Sequence, residues 1–412
     1  MIQGRLIICI GSAWDYDPTS KHHVMRILSE QNQIIWVNYH GTRRPALSVP
    51  DFRAACSALL RCTRGPRPAA PSIVQMTPLV LPGASRPVLR RLHERIVCSQ
   101  IRGALQEVDP RREMPVQVWS FAPDVPFLCG SLGEECFVYY CVDEYREFDD
   151  LDATRIAAAE DELLARADVV VTSSGALHET KRRCRPDAVL VPHGVDYDHF
   201  AAAWRSPQPS PEDLAGIPRP IFGFFGLIRH WIDVRLLAET AKLRPHYAFV
   251  LIGECHADVS ELRRLCNVHL LGRRKYASLP AYCAAFDGAL LPFVQNAMTR
   301  NINPIKMYEY LAAGLPVVST PLPEARRYAG PILLADTAED FAAACDEVLR
   351  DPAKRQRAEI SAIVARETWS SRVSDLSRLV MDRVARAKPQ RLAERASLGS
   401  CDRRVPVVAA VC

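Results

Sequence analysis

An α/β chain made of two parallel-sheet domains is what the sequence predicts, and three observations predict it. Short apolar runs rich in β-branched and aromatic residues alternate with longer helical patterns along the whole of the 412 residues, as βαβ units require. A proline-rich stretch at 204–220 interrupts that alternation, which then restarts. The length exceeds one ordinary domain and suits two of about 200 residues each. A chain that is 48% hydrophobic and 24% charged has the balance of packed cores and not of a disordered polymer.

In the first half the pattern predicts strands at 6–10, 34–38, 116–119, 137–142, 169–172 and 189–191. Helical patterns lie between them at 19–31, 87–107, 151–167 and 175–183. Residues 41–72 are rich in Pro, Arg and Gly and read as a long loop with one short helix. After the break, strands are expected at 221–225, 248–252, 269–271, 288–291, 316–319 and 332–334. The helices of this half are expected at 233–242, 259–265, 279–285, 304–313 and 338–349, and a last long one runs from 352 to 384. The resulting division is a first domain at 1–200, a linker at 201–219 and a second domain at 220–352. A helix at 353–386 packs back on the first domain, and a loose tail follows at 387–412.

Fourteen cysteines are scattered with no C-x-x-C pair, which argues against a zinc ribbon or a thioredoxin-type site. Cys9, Cys141 and Cys283 sit inside apolar runs and read as small buried hydrophobes of a reduced protein. The opening MIQGRLIICIGS reads as a buried strand and not as a signal peptide. No window approaches the roughly 18–20 apolar residues of a spanning helix, so a cytoplasmic location is expected, peripheral at a membrane at most. The net charge of +5 decides little about partners. The triplets Asp15–Asp17, Asp150–Asp152 and Asp196–Asp198 are of chance frequency in a chain with this many aspartates, and no catalytic metal is expected. No G-x-G-x-x-G follows the first strand, which disfavours a nicotinamide dehydrogenase.

In open parallel sheets ligands sit beyond the carboxyl ends of the strands. There the stretch 290–323, LLPFVQNAMTRNINPIKMYEYLAAGLPVVSTPLP, is the richest. Asn303 is placed to cap a helix that opens with Pro304, and helix N-termini attract phosphate. Lys306 in the first turn opposes the helix dipole yet suits an anion. Glu309, one turn further on, can accept two hydrogen bonds from vicinal hydroxyls. The same spacing also fits an ordinary solvated Lys–Glu pair.

The segment NPIKMYEYLAAGLPVVSTPLPE resembles the donor site of GT-B glycosyltransferases (glycosyl transferases group 1), especially the family-4-like bacterial enzymes that build surface polysaccharides. The resemblance implies two Rossmann-like domains facing each other across a cleft, with a nucleotide sugar, UDP- or GDP-linked, as co-substrate and no other cofactor. It implies that Glu309 binds ribose. Asn301 stands where many relatives carry a first glutamate at the donor sugar; it is a donor-site candidate by that position, without the glutamate's chemistry. FGFFGLIRH at 222–230 resembles the glycine turn that opens the second domain, with Gly223 and Gly226 for backbone approach to a diphosphate and Arg229 to neutralise it. LGRRKYASLPAYCAAFDGALLP at 271–292 resembles the family's nucleobase loop, making Gly272, Arg273 and Tyr276 candidates. Arg273 and Arg274 equally suit a solvated surface. VPHGVDYDHF at 191–200 resembles the interdomain crossing, with His193 a weaker candidate for the cleft.

In the first domain Gly11-Ser12 ends strand one, and Thr19 or Ser20 is placed to cap the next helix. Ser12, Lys21 and His22 then become candidates for binding the acceptor or a diphosphate, with His23 beside them. YYCVDE at 139–144 ends a strand in adjacent carboxylates and is similar to the Cys-x-Asp-Glu segment of the family branch. Asp143 is the expected catalytic base and Glu144 the second choice, though either also suits a helix cap. The basic stretch at 86–95 fits an anionic membrane surface near a lipid-linked acceptor or a plain solvated face. Nothing suggests nucleic acid. The expectation is transfer of a sugar to a glycan or lipid-linked glycan acceptor. A sugar-nucleotide 2-epimerase and a donor-binding scaffold without catalysis are the alternatives.

Overall fold

The computed structural model describes residues 1–39, 65–81, 87–148, 151–351 and 356–401. The first sheet has eight strands: β1 (Leu6–Gly11), β2 (Gln33–Asn38), β3 (Arg67–Ala70), β4 (Ile73–Met76), β5 (Val116–Ser120), β6 (Cys136–Cys141), β7 (Val169–Thr172) and β8 (Val189–Leu190). Their order is β3-β4-β2-β1-β5-β6-β7-β8, parallel except for the β3–β4 pair. The helices of this half are α1 (Ser20–Leu28), α2 (Pro87–Val108), α3 (Ala153–Arg166) and α4 (Gly175–Arg182). Strand order reverses between β1 and β5, so the crevice expected of such a sheet opens beside Gly11 and Ser120. β1 and β6 are buried along their whole length, the near-continuous apolar character that parallel strands covered on both faces require.

The second sheet runs β11-β10-β9-β12-β13-β14 and is parallel throughout. Its strands are β9 (Ile221–Phe225), β10 (Ala248–Ile252), β11 (Val268–Gly272), β12 (Gly288–Leu291), β13 (Val317–Ser319) and β14 (Ile332–Leu334). The helices of this half are α5 (Tyr197–Arg205), α6 (Val234–Leu243), α7 (Leu279–Ala285), α8 (Ala297–Arg300), α9 (Ile305–Ala312), α10 (Ala338–Arg350), α11 (Arg357–Ala362) and α12 (Trp369–Cys401). The order reverses between β9 and β12, beside Gly226 and Pro292.

Several elements depart from the sequence reading. Of the loop expected at 41–72, residues 41–64 with its short helix lie outside the described residues, and 67–76 form the β3–β4 hairpin, turned at Ser72 with φ 58°. Four-residue strands, one carrying a proline, fall below the length at which alternation is readable. The helix expected at 259–265 is a single 3₁₀ turn at Leu262–Arg264. Residues 197–205, just ahead of the proline-rich stretch, form α5, which packs on α7 and α9 and adds Phe200 and Ala203 to the second core. The single terminal helix divides into α11 and α12, and α12 continues into the segment read as tail.

The chain passes between the two halves twice, side by side. Val195 N donates to Glu367 O at 2.8 Å and Trp369 N to Val195 O at 3.2 Å. Gly194 lies so close to Trp369 that a Cβ there would meet its backbone nitrogen at 2.7 Å. After the second crossing Trp369, Val373, Leu376 and Val380 join the core formed by α1, β1, β2 and β6.

Candidate active site

The carboxyl edges of the two sheets face each other, and hydrogen bonds tie them across the gap. Ser174 Oγ donates to Asn301 O at 2.6 Å, Asn303 Nδ2 to Ser173 O at 2.8 Å, and Gly175 N to Glu324 Oε1 at 2.8 Å. His193 Nδ1 lies 2.9 Å from Asn303 O. Arg273 reaches from the second half to Asp17 of the first at 2.8 Å.

On the second half, Lys306 and Glu309 rise from the first turns of α9, where backbone N–H groups lack helical partners. Lys306 lies over Gly226, whose φ is 141°; a Cβ on that glycine would meet Lys306 Cε at 1.9 Å. Gly226 is thus doubly required, for its backbone conformation and for the lysine that covers it. Glu309 is buried, and its carboxylate accepts no hydrogen bond among the described residues. Burial pushes that carboxyl up to about 7, Lys306 opposing and Asp196 adding to the rise. Arg229, half-buried, stacks over Trp231 at 5.3 Å and has no ion-pair partner among the described residues. Lys306 thus sets a positive charge one turn from the buried Glu309 carboxyl.

Other candidates on this half take different places. Gly223 lies inside β9, where a Cβ would meet the Phe286 ring at 1.9 Å; it makes room for the core and does not approach a ligand. Asn303 does not cap α9: the cap position is Pro304, and the Asn303 amide is spent across the cleft on Ser173. The chain before a proline is held extended, which carries the asparagine past the helix end. Asn301 closes α8, its amide donating to Ala297 O at 2.7 Å. Gly272 ends β11 with φ 71° and accepts from Gly253 N at 2.9 Å. Arg273 is engaged by Asp17, with Glu254 at 3.9 Å. The half-buried Tyr276 ring is stacked on one face by His199 at 4.7 Å, with Phe200 edge-on and His23 tilted beside it. Its hydroxyl is buried without a protein partner.

On the first half, Ser12 follows β1, its carbonyl accepting from the Trp36 indole at 2.9 Å. Lys21, in the first turn of α1, lays its stem over Gly11. Burial pushes its ammonium down, opposed by the attraction of Asp143. His22 is not the cation expected there. It is buried between Trp14 and Trp36, its Nδ1 accepting from Thr19 N at 3.1 Å in a capping box. Burial first, then Lys21 and Arg26, hold it down to about 3, so it is neutral. His23 is likewise held to about 3 by burial and stacks on Trp369 at 5.2 Å. The positive charge at this helix start belongs to Lys21.

The two carboxylates after β6 divide sharply. Glu144 is buried and committed: both its oxygens lie 2.9 Å from the Lys181 ammonium, which removes it as a base. The Asp143 carboxylate accepts no hydrogen bond among the described residues. Burial raises its pKa, and Lys21 opposes the rise. A desolvated, uncommitted carboxylate near a cation is what proton abstraction asks for. Lys181 had no signal in the sequence, where 175–183 shows a helical pattern only. No group of metal-binding residues occurs among the described residues.

Residues 219–351 match the family described as glycosyl transferases group 1. The chain is 29% identical over 274 residues to the putative teichuronic acid biosynthesis glycosyltransferase TuaH of Bacillus subtilis (strain 168), covering 61% of this chain and 68% of that one. The structure is similar to HepE of Anabaena, solved in complex with UDP and glucose: TM-score 0.64, 13% identity, 92% of this chain and 100% of that one. It is similar also to sucrose-phosphate synthase of Thermosynechococcus elongatus: TM-score 0.65, 16% identity, covering 92% and 99%. Residues 219–351 thus match a group 1 domain, the two sheets of the chain face each other in the GT-B arrangement, and the protein is an enzyme that transfers a sugar.

Proposed function

We propose that the enzyme moves a hexose from a nucleoside-diphosphate donor to a hydroxyl of a glycan or lipid-linked glycan. The observation that carries this reading is the pairing at α9. Lys306 is folded over Gly226, and one turn away Glu309 is a buried carboxylate whose oxygens find no donor among the described residues. A ribose diol supplies two such donors, and a diphosphate supplies the anion for Lys306, Arg229 and the helix start. Stabilising the departing diphosphate is the main electrostatic demand of the reaction. Asp143 takes the proton of the acceptor hydroxyl, its basicity raised by burial and its charged form favoured by Lys21. The TuaH likeness supports an acceptor of the surface-polysaccharide class, and the HepE complex supports UDP as the nucleotide.

The acceptor class suggests a membrane contact. Arg90, Arg91 and Arg95 of α2 are exposed beside Leu92, a composition suited to anionic headgroups; Arg86 lies outside the described residues. No helix among the described residues is long and apolar enough to cross a membrane. Sedimentation with phosphatidylglycerol vesicles tests this contact, with an Arg90→Glu/Arg91→Glu variant as control.

The donor site is tested by calorimetry with UDP, GDP and ADP, repeated on Glu309→Ala. Tight binding of one nucleotide, lost in the variant, supports the reading. Folded protein that binds none of the three overturns it.

A further inference from the structure

A sealed cluster of charges lies beneath the segment that carries Asp143. Lys181 of α4 is 2% exposed, and its Nζ sits 2.9 Å from each oxygen of Glu144 and 2.9 Å from Glu160 Oε2 of α3. Glu160, wholly buried, also accepts from Tyr139 Oη of β6 at 2.7 Å and from Arg146 Nε at 3.1 Å. The Cys141 thiol is 3.4 Å from the Asp143 carbonyl and 3.6 Å from Glu160 Oε1. Tyr145 Oη donates to Phe121 O, beyond the end of β5, at 2.6 Å. The side chains at 141, 144, 145 and 146 are therefore all tied down, and between them Asp143 keeps its carboxylate free.

We propose that Lys181 is a positioning residue for catalysis: by clamping Glu144 to Glu160 it fixes the backbone that presents Asp143 to the acceptor. The proposal rests on the reading of Asp143 as the base. Stability alone is a poor reason for such a cluster. Desolvating the ions offsets most of what their pairing returns, and apolar residues of equal volume serve as well or better. Fixed geometry is what the apolar substitute lacks. An ammonium held by three oxygens on two elements sets the lateral position of Glu144, whereas an apolar contact lets it slide. A base displaced by about 1 Å loses on the order of 10²-fold in rate.

The test separates position from stability. Lys181→Met leaves the two buried carboxylates with Arg146 as their one remaining cation among the described residues and is expected to lower both the unfolding midpoint and turnover. The triple variant Glu144→Gln/Glu160→Gln/Lys181→Met removes the three fully buried charges together and leaves Arg146 its ion pair with Asp161. Its midpoint and its calorimetric Kd for UDP and GDP are expected to return to wild-type values. Its kcat for nucleotide release from UDP-glucose or GDP-mannose is expected to stay at least tenfold low with donor KM unchanged. A triple variant whose kcat recovers with its midpoint overturns the proposal, because the cluster is then structural only. If the triple variant does not fold, Glu144→Gln alone carries the comparison: a severalfold loss of kcat at unchanged midpoint supports the clamp, and unchanged kcat overturns it. Asp143→Asn is measured alongside. Wild-type turnover there removes Asp143 as base, a failure distinct from an intact base with a dispensable clamp.

Discussion

Replacing Glu309 by Gln is expected to stabilise the nucleotide-free enzyme at pH 8 while weakening its grip on a nucleoside diphosphate. The side chain is 6% exposed, and burial carries its carboxyl from the ordinary 4.5 to about 7. A carboxyl raised in this way binds its proton more tightly folded than unfolded. Its contribution to stability is complete below pH 4.5 and is lost as the pH rises through 7. The rise corresponds to about 3 kcal/mol of stability forgone at pH 8. Glutamine keeps the shape and never ionises, so the variant escapes that loss. At roughly 2–4 °C per kcal/mol for domains of this size, its unfolding midpoint should exceed wild type by about 6–12 °C at pH 8. The two should nearly coincide at pH 5. Binding moves the other way, because hydrogen bonds to a charged group contribute about 1.5–3 kcal/mol, roughly a 10- to 100-fold weaker Kd. Thermal melts of both proteins from pH 5 to 8, with and without UDP or GDP, read both effects. A midpoint gap that is absent at pH 8, or that persists unchanged at pH 5, would refute the reasoning.

Three further outcomes are expected. Asp143→Asn should lower kcat by about 10²–10⁴-fold, the range of general-base catalysis, while calorimetric nucleotide binding stays within twofold. Gly226→Ala should weaken nucleotide binding by about tenfold or more, because its Cβ displaces the Lys306 stem and its φ of 141° suits glycine; an unchanged Kd would separate Lys306 from the diphosphate. His22 and His23, held down to about 3, and His193, held down to about 4, are all neutral because they are buried. Their contribution to stability is full above pH 6.5 and is lost as the pH falls toward those values. The midpoint should therefore decline steadily from pH 6.5 to 4, and His193→Gln should flatten part of that decline.

What the sequence made legible was local. Strand and helix periods gave both sheets, because β1, β6 and β9 are apolar throughout and the helices between them keep a 3.6-residue pattern. The helix start near 304–309 was legible because the donor-site candidates Lys306 and Glu309 lie within one turn of each other. The errors concern partners distant in sequence. Nothing near Gly223 announces that Phe286 will lie on it, and nothing near Glu144 announces a lysine 37 residues on. Asn303 looked like a cap because caps are judged on the next three residues, yet its amide is taken by Ser173, 130 residues earlier. His22 looked cationic for the same reason, until Trp14 and Trp36 enclosed it.

The double crossing at Val195 and Thr368 bears on how the cleft can open. A single covalent connection leaves two bodies free to tilt, swing and twist about one point. Two connections running side by side, joined to each other by Val195 N to Glu367 O and Trp369 N to Val195 O, define a line instead. Rotation about that line costs little backbone distortion, whereas twist would shear the bridge between them. The halves therefore part like a book on its spine. Opening about that line has to break the Arg273–Asp17 ion pair and the contacts of Asn303 and His193 across the cleft.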